Sequence, residues 1–284
     1  MKNFFDFTVP EFTYNRFADL FYYLLAHMPL DNAADEYDPA YIKEMAEVLG
    51  TSPAIPEELV EYYQQHFDRL MITSFFPLTT GSIDECSNAL SSCGMLTEED
   101  MNTFVLPVME ICRQVSVSFY LWWDRHHTEA LPAAEKVYIR FRELMDRFGS
   151  FFSGLETRIR IIFSYSLRKC GRAFMNPDVQ TVYLPYPENE PDVLPCFLQF
   201  LHECTHRVTD PLITQPILMA DGSHDLSEYQ VLCFDEYLIR ELCPDLSATY
   251  RGWLGAELLD LSHKKLGGAG EQRIAACLKR FVNQ

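Results

Sequence analysis

The apolar residues of this chain change their spacing near residue 150, and this change limits the fold more than any other sequence feature. Before it, apolar side chains recur every three or four residues, as from Met101 to Trp122, which is typical of amphipathic helices. After it, apolar residues from Ile159 to Leu167 alternate with polar ones, which indicates a strand with one buried face. Helical spacing returns from Pro191 onward. The sequence therefore predicts an α+β fold that is mostly α.

Helix start and stop signals divide the chain further. The helices predicted before residue 150 are 12–25, 39–49, 56–76, 101–122 and 133–148, the fourth preceded by a capping-box pattern at Thr97–Asp100. After it, strands 159–167 and 179–184 are predicted to form a small antiparallel sheet, followed by helices at 191–209, 225–242, 246–266 and 270–282. We expect an N-terminal helical domain at 1–150, of unknown role, and a second domain at 151–284.

Charge and cysteine usage narrow the possible partners and the compartment. A net charge of −18 opposes binding to a phosphate backbone or an anionic membrane surface, so neither nucleic acid nor a membrane is an expected partner. No uninterrupted apolar run approaches the roughly 18 residues of a membrane span, and no leader pattern precedes Leu20–Met28. Nine scattered cysteines without a Cys-x-x-Cys pair fit a reducing compartment. We expect a cytoplasmic protein.

A metal-binding pattern, His-Glu-Cys-Thr-His, occupies residues 202–206 within the helix predicted at 191–209. On a helix, His202 and His206 lie one turn apart and about 40° apart around the axis, so both rings can reach one ion. Glu203 then lies beside the ion, within reach of a water molecule bound to it. The pattern predicts two ligands and a general base.

A catalytic zinc site usually has three protein ligands and one open position, so a third ligand must come from elsewhere. Three acids of the helix predicted at 225–242 are candidates: Glu228, Asp235 and Glu236. Glu228 lies in the predicted first turn, where a carboxylate is already explained by capping and by the helix dipole. Glu236 is favoured because it is mid-helix and its side chain is longer than that of Asp235, although helical-wheel arithmetic does not separate these two. The predicted site is Zn²⁺ held by His202, His206 and Glu236.

The segment His202–Asp210 resembles the active-site helix of the thermolysin-like gluzincin metallopeptidases, and Phe234–Arg240 resembles the third-ligand helix of uncharacterised zincin-like bacterial families. The resemblance covers about residues 150–245, and its specific part is the five-residue motif. It implies a zincin-like domain whose third ligand is a carboxylate on a following helix. The Asn-Glu-x-x-Ser-Asp signature of the gluzincins is absent from this chain.

Three functional hypotheses follow. The favoured one is a zinc-dependent peptidase in which Glu203 is the general base and a peptide or protein substrate pairs with strand 179–184. His224, Tyr229, Tyr237 and Tyr250 are the candidate oxyanion stabilisers, with none preferred. The second is a non-catalytic zinc domain whose N-terminal helices bind a partner protein, and the third is a helical interaction protein without a metal.

Overall fold

The computed structural model describes residues 12–28, 39–50, 53–167, 171–175, 178–212 and 223–282. Its α-helices are α1 Arg16–Ala26, α2 Pro39–Leu49, α3 Glu57–Gln65, α4 Phe67–Leu70, α5 Ile83–Ser92, α6 Glu98–Asp100, α7 Leu106–Arg147, α8 Gly149–Gly154, α9 Glu190–Thr209, α10 Ser223–Leu242, α11 Ser247–Leu254 and α12 Ala256–Val282. Its strands are β1 Phe12–Tyr14, β2 Arg158–Ser164, β3 Arg172–Met175 and β4 Val179–Pro185. The mostly helical α+β class predicted from the sequence is confirmed.

The sheet is mixed, in the order β1-β2-β4-β3. The expected antiparallel pairing of the two predicted strands is wrong, because β2 and β4 run parallel with Ile161 opposite Val182. The chain reaches this arrangement through β3, which forms an antiparallel pair with the outer edge of β4. Both central strands are buried on both faces along most of their length, as parallel strands usually are.

The start of the first predicted helix is a strand instead. Phe12–Tyr14 forms β1, parallel to β2, and α1 begins only after Asn15. The Asn15 side-chain oxygen accepts hydrogen bonds from the backbone N–H groups of Phe17 and Ala18, which caps the helix. Aromatic residues favour strands as well as core helices, so pairing with β2 decided the conformation.

Helix α7 joins two predicted helices into one of 42 residues, with Pro132 in its interior. Within the described residues, one helical span, Glu98–Arg147, is long and apolar enough to cross a bilayer by those two criteria alone. A core helix meets the same criteria, and one side of α7 is buried, including Phe119 and Phe141. Helix α7 therefore contributes one face to the core.

The hydrophobic core continues across the boundary predicted near residue 150. One cluster of buried side chains includes residues as far apart as Phe17 and Phe281. Polar contacts also cross this boundary, because Asp19 on α1 accepts hydrogen bonds from Ser164 on β2 and Tyr183 on β4. Helix α1 is thus joined to the sheet on which α9 packs.

The capping box predicted at Thr97–Asp100 is confirmed and forms part of a larger buried contact. The Asp100 carboxylate, 0% exposed, accepts two hydrogen bonds from Arg69, at 2.8 and 2.7 Å, and one from Tyr62 at 2.9 Å. Burial alone raises the pKa of this carboxyl, but the hydrogen bonds from Arg69, Thr97 and Tyr62 outweigh it and hold the pKa well below its usual value.

Replacing Asp100 with asparagine is therefore expected to lower the free energy of unfolding by about 2 kcal/mol at pH 7. Because the folded-state pKa is lowered, this stabilisation is present above the unfolded pKa of about 3.9 and is lost as the pH falls further. Urea unfolding at pH 7 and pH 3 measures both effects. Asp84→Asn, which removes a carboxylate that is 82% exposed, is the control, and an equal cost for the two variants at pH 7 contradicts the prediction.

Candidate metal centre

Helix α9 carries the motif, and residues at its N-terminus determine where it begins. The Asp192 carboxylate accepts a hydrogen bond from the Asn189 backbone N–H at 3.1 Å, which fixes the first turn. Pro195 lies in the second turn without ending the helix. Near the other end, His202 and His206 lie on one face with ring centroids 5.0 Å apart. The helix predicted for the motif is confirmed.

The third side chain at this face is Glu228, from α10. One carboxylate oxygen is 3.4 Å from Nε2 of His202, and the other is 3.5 Å from Nε2 of His206. The ligand atoms of the three residues lie within 4.8 Å of one another. Two ligands about 2.0–2.1 Å from one tetrahedral zinc are about 3.3 Å apart, and the two measured separations, each to a different oxygen of Glu228, are close to this value.

The outer nitrogen of His202 is held by a buried carboxylate. Nδ1 of His202 lies 3.0 Å from Asp235, whose other oxygen accepts a hydrogen bond from Thr205 at 2.7 Å. Tyr250 also donates to Asp235, at 3.4 Å. A proton on Nδ1 leaves the Nε2 lone pair for a metal, an arrangement common to histidine ligands.

His206 has a similar carboxylate partner. Its Nδ1 lies 3.2 Å from Asp210, one turn further along the chain. Asp210 also accepts a hydrogen bond from Ser227, the residue before Glu228, at 2.7 Å. Asp210 therefore connects the end of α9 to the segment of α10 that carries Glu228.

The side chains of His202, His206 and Glu228 form a compact cluster of charged groups. Burial disfavours the protonated ring of His202, but Asp235 and Glu228 outweigh it and raise its pKa well above the usual value. Asp210 and Glu228 likewise outweigh burial and raise the pKa of His206 to about 10. The two rings in turn hold the pKa of Glu228 well below its usual value, against the effect of burial. A divalent cation entering at neutral pH must therefore displace protons from both rings.

Glu203 lies on the side of α9 that faces the sheet and is buried. Its backbone carbonyl accepts a hydrogen bond from the Gln180 side chain on β4 at 2.7 Å. Gly171, the residue before β3, lies so close that a Cβ there would be 3.1 Å from Oε1 of Glu203. The Glu203 charge also makes a small contribution to the raised pKa of His206, after those of Asp210 and Glu228.

Glu236, the third ligand favoured from the sequence, contacts residues outside the motif in this structure. Its carboxylate pairs with Nε2 of His263 at 2.6 Å and with Arg251, while Glu228 approaches both histidines of the motif. The sequence predicts a capping role for Glu228, but α10 begins at Ser223, so Glu228 is past its first turn. Asp235, the other alternative, lies at the site but contacts the outer nitrogen of His202.

The candidate oxyanion stabilisers differ in whether they contact the residues of the candidate metal centre. Tyr250 donates to Asp235, and the Tyr237 hydroxyl lies 3.5 Å from Nδ1 of His263. Tyr229 follows Glu228 and is partly buried. The side chain of His224 lies outside the described part of the chain. Of the three tyrosines, Tyr250 has a defined connection to the site, through Asp235, a partner of His202.

Asp235→Asn is expected to weaken zinc binding about 10- to 100-fold, because the amide no longer holds the protonated Nδ1 of His202 as a carboxylate does. Competition with a chromophoric chelator measures the affinity. Asp260→Asn removes an equal charge from an exposed side chain on α12 and is the control. Equal affinities for the two variants would show that Asp235 does not support the site.

None of the protein-family models, curated proteins and solved structures compared with this chain matches it. The resemblance of the motif helix to that of the gluzincins therefore stays a prediction. Support for a function comes from the arrangement of the described side chains, above all the convergence of His202, His206 and Glu228.

Proposed function

We propose that this protein is a zinc-dependent hydrolase that cleaves peptide bonds. The observation that carries the proposal is that two imidazole nitrogens and one carboxylate meet at separations suited to tetrahedral zinc, with Glu203 on the same helix as the imidazoles. Three protein ligands leave a fourth position open, which distinguishes catalytic from structural zinc sites. A purely structural site has no need of a buried acid next to His202.

Zn²⁺ bound by these residues would polarise a substrate carbonyl and lower the pKa of a water molecule to about 7. Glu203 would accept a proton from that water and return it to the leaving amine as general acid. Asp235 and Asp210 would keep the Nδ1 protons in place, so that both rings present Nε2.

The substrate strand proposed from the sequence needs correction. Strand β4 lies between β2 and β3, so both its edges are paired and it cannot accept a peptide. Strand β3 is the outer strand on this side and follows Gly171, which lies against Glu203. An extended peptide laid along β3 would therefore pass the general base, a mode of binding by strand addition.

We place the protein in the cytoplasm. The support is that the eight cysteines within the described residues are free thiols, seven of them buried, as expected of a reducing compartment. The net charge of −18 supports a substrate other than nucleic acid.

The experiment is cleavage of a peptide library by zinc-loaded protein, comparing the wild type with Glu203→Gln. The variant keeps all three proposed ligands, so we expect it to retain zinc but to lose at least about 100-fold in kcat/KM. Glu190→Gln, on an exposed position of the same helix, is the matched control and is expected to keep its activity.

Two other outcomes contradict the proposal. If the protein retains zinc but shows no Glu203-dependent cleavage, it is the non-catalytic zinc domain, whose N-terminal helices would bind a partner protein. If elemental analysis of material purified without chelators finds no zinc, the protein is the metal-free helical interaction protein. The His202→Ala variant supplies the baseline for the zinc measurement.

A further inference from the structure

A second charged cluster, outside the metal centre, joins helices α10, α11 and α12 around His263. Nε2 of His263, on α12, lies 2.6 Å from a carboxylate oxygen of Glu236 on α10. Nδ1 of the same ring lies 2.9 Å from Glu271, further along α12. Arg251 on α11 donates to Glu236 and, at 3.0 Å, to Asp260. His263 is therefore held between two carboxylates that belong to different segments.

The contact between His263 and Glu271 spans a kink in α12. The kink is at Gly267, whose φ of 66° and ψ of 170° are not helical and favour glycine. His263 and Glu271 are eight residues apart, and a straight helix would separate them by about 12 Å along its axis. Their contact therefore requires the bend, and it stabilises the bent form of α12.

The geometry of the cluster determines the charge of the His263 ring. A neutral imidazole has a single N–H, whereas both ring nitrogens here face carboxylate oxygens, which accept hydrogen bonds. The arrangement therefore holds the protonated ring. Burial alone raises the pKa of Glu236, but His263 and Arg251 outweigh it and hold the pKa below its usual value. Glu236 thus stays ionised between pH 5 and pH 8, the range in which histidine ordinarily changes its charge.

Nδ1 of His263 has a second neighbour, which suits the neutral ring. The Tyr237 hydroxyl lies 3.5 Å from this nitrogen, and the guanidinium of Arg240 lies 4.8 Å from the Tyr237 ring centroid. Burial and, next, Glu271 raise the pKa of Tyr237, so its hydroxyl keeps its proton and can donate. When Nδ1 loses its proton, its lone pair repels the Glu271 carboxylate and can accept from Tyr237. The Glu271 side chain is 37% exposed and can turn into water.

The other titratable groups that face the cluster keep their charge between pH 5 and pH 8. Burial first, and then Glu271 and Glu236, raise the pKa of the Cys233 thiol to about 12. Arginine side chains stay protonated in this range, and carboxyl groups ordinarily titrate below it. Among the groups of this cluster that the structure describes, His263 is therefore the one whose charge changes.

We propose that His263 is a pH switch in α12, whose protonated ring holds Glu271 and fixes the kink and whose neutral ring releases Glu271 and accepts from Tyr237. The bent form binds a proton that the released form lacks, so it is favoured at low pH and lost as the pH rises. Ile274 and Phe281 are buried beyond the kink, so the release is confined to the turns around it. The switch does not depend on the zinc site.

Amide hydrogen exchange, followed by mass spectrometry of residues 263–272 and corrected for the intrinsic effect of pH, tests the switch. In the wild type, protection of these amides is expected to fall about fivefold from pH 6 to pH 8, the effect of losing one partly exposed charged contact. His263→Gln and Glu271→Gln should be weakly protected at both pH values. His66→Gln, at the end of α3, is the control and should keep the wild-type behaviour.

Wild-type protein that is equally protected at pH 6 and pH 8 overturns the proposal. A pH dependence that persists in both His263→Gln and Glu271→Gln also overturns it. Circular dichroism establishes that each variant is folded, and Glu271→Gln alters a partly exposed side chain, so it keeps the test available if His263→Gln does not fold.

Tyr237→Phe tests the exchange of partners. The variant removes the donor to the neutral ring and disfavours the released form, so the midpoint of the loss of protection should move up by about half a pH unit. An unchanged midpoint overturns the role of Tyr237 as the partner of the neutral ring.

Discussion

Substitution of Glu228 by glutamine is expected to lower the affinity for zinc by more than about 100-fold. Losing a residue that only hydrogen-bonds to a metal ligand costs up to about 100-fold, and losing a ligand should cost more. The reason is that Glu228 places one oxygen near each imidazole, at 3.4 and 3.5 Å, and within the described residues it is the acid that reaches both Nε2 atoms. The neutral amide of the glutamine would also remove a negative charge that balances the charge of the divalent ion.

Glu236→Gln is the matched control, since it makes the same chemical change two turns further along α10. Its carboxylate contacts His263 and Arg251, so zinc affinity should stay within about threefold of the wild type. Chelator competition on both variants, at the same pH, decides between the two acids. The assignment of the third ligand is overturned if Glu236→Gln releases zinc and Glu228→Gln does not.

Asp19→Ala is expected to lower the free energy of unfolding by about 3–5 kcal/mol. The Asp19 carboxylate is 0% exposed and accepts hydrogen bonds from Trp123 at 2.6 Å, from Tyr183 at 2.6 Å and from Ser164. Burial raises the pKa of this carboxyl above its usual value, and these donors oppose the shift without cancelling it. Its removal leaves three buried donors without their acceptor, each costing about 1–3 kcal/mol.

Urea unfolding followed by circular dichroism measures this cost. Asp124→Ala, which removes an exposed carboxylate on α7, should change the stability by no more than about 0.5 kcal/mol. Because one hydrophobic core still joins α1 to β2 and β4 after Asp19 is replaced, the variant should unfold as a less stable whole without a separate transition for residues before 150. Two separate transitions in the variant, or a cost near that of Asp124→Ala, contradicts the prediction.

Local sequence predicted the motif helix and the pairing of its histidines. The spacing of His202 and His206 fixes their common face in any α-helix, whatever packs against it. The same holds for the capping box at Thr97–Asp100, whose hydrogen bonds are made within one turn. The helical share of the chain was also predictable, because it follows from periodic apolar positions.

The third ligand and the sheet were not predictable in this way. Helical-wheel arithmetic compares Glu228, Asp235 and Glu236 on an isolated helix, but the side of α10 that faces α9 depends on how the two helices cross. A retrospective signal existed in the spacing of Glu228 and Asp235, seven residues apart and therefore on one face two turns long. Strand β1 and the parallel pairing of β2 with β4 depend on partners far away in the chain.

By itself, the sequence determined that most of the chain is helical and that two imidazoles and Glu203 share one helix, because these features depend on residues within a turn or two. The tertiary structure alone decided that Glu228 faces both rings, that Asp235 and Asp210 hold their outer nitrogens, and that one core spans residue 150. The physical reason is that a third ligand must come from another element, and its place is set by the packing of α9 against α10 and the sheet.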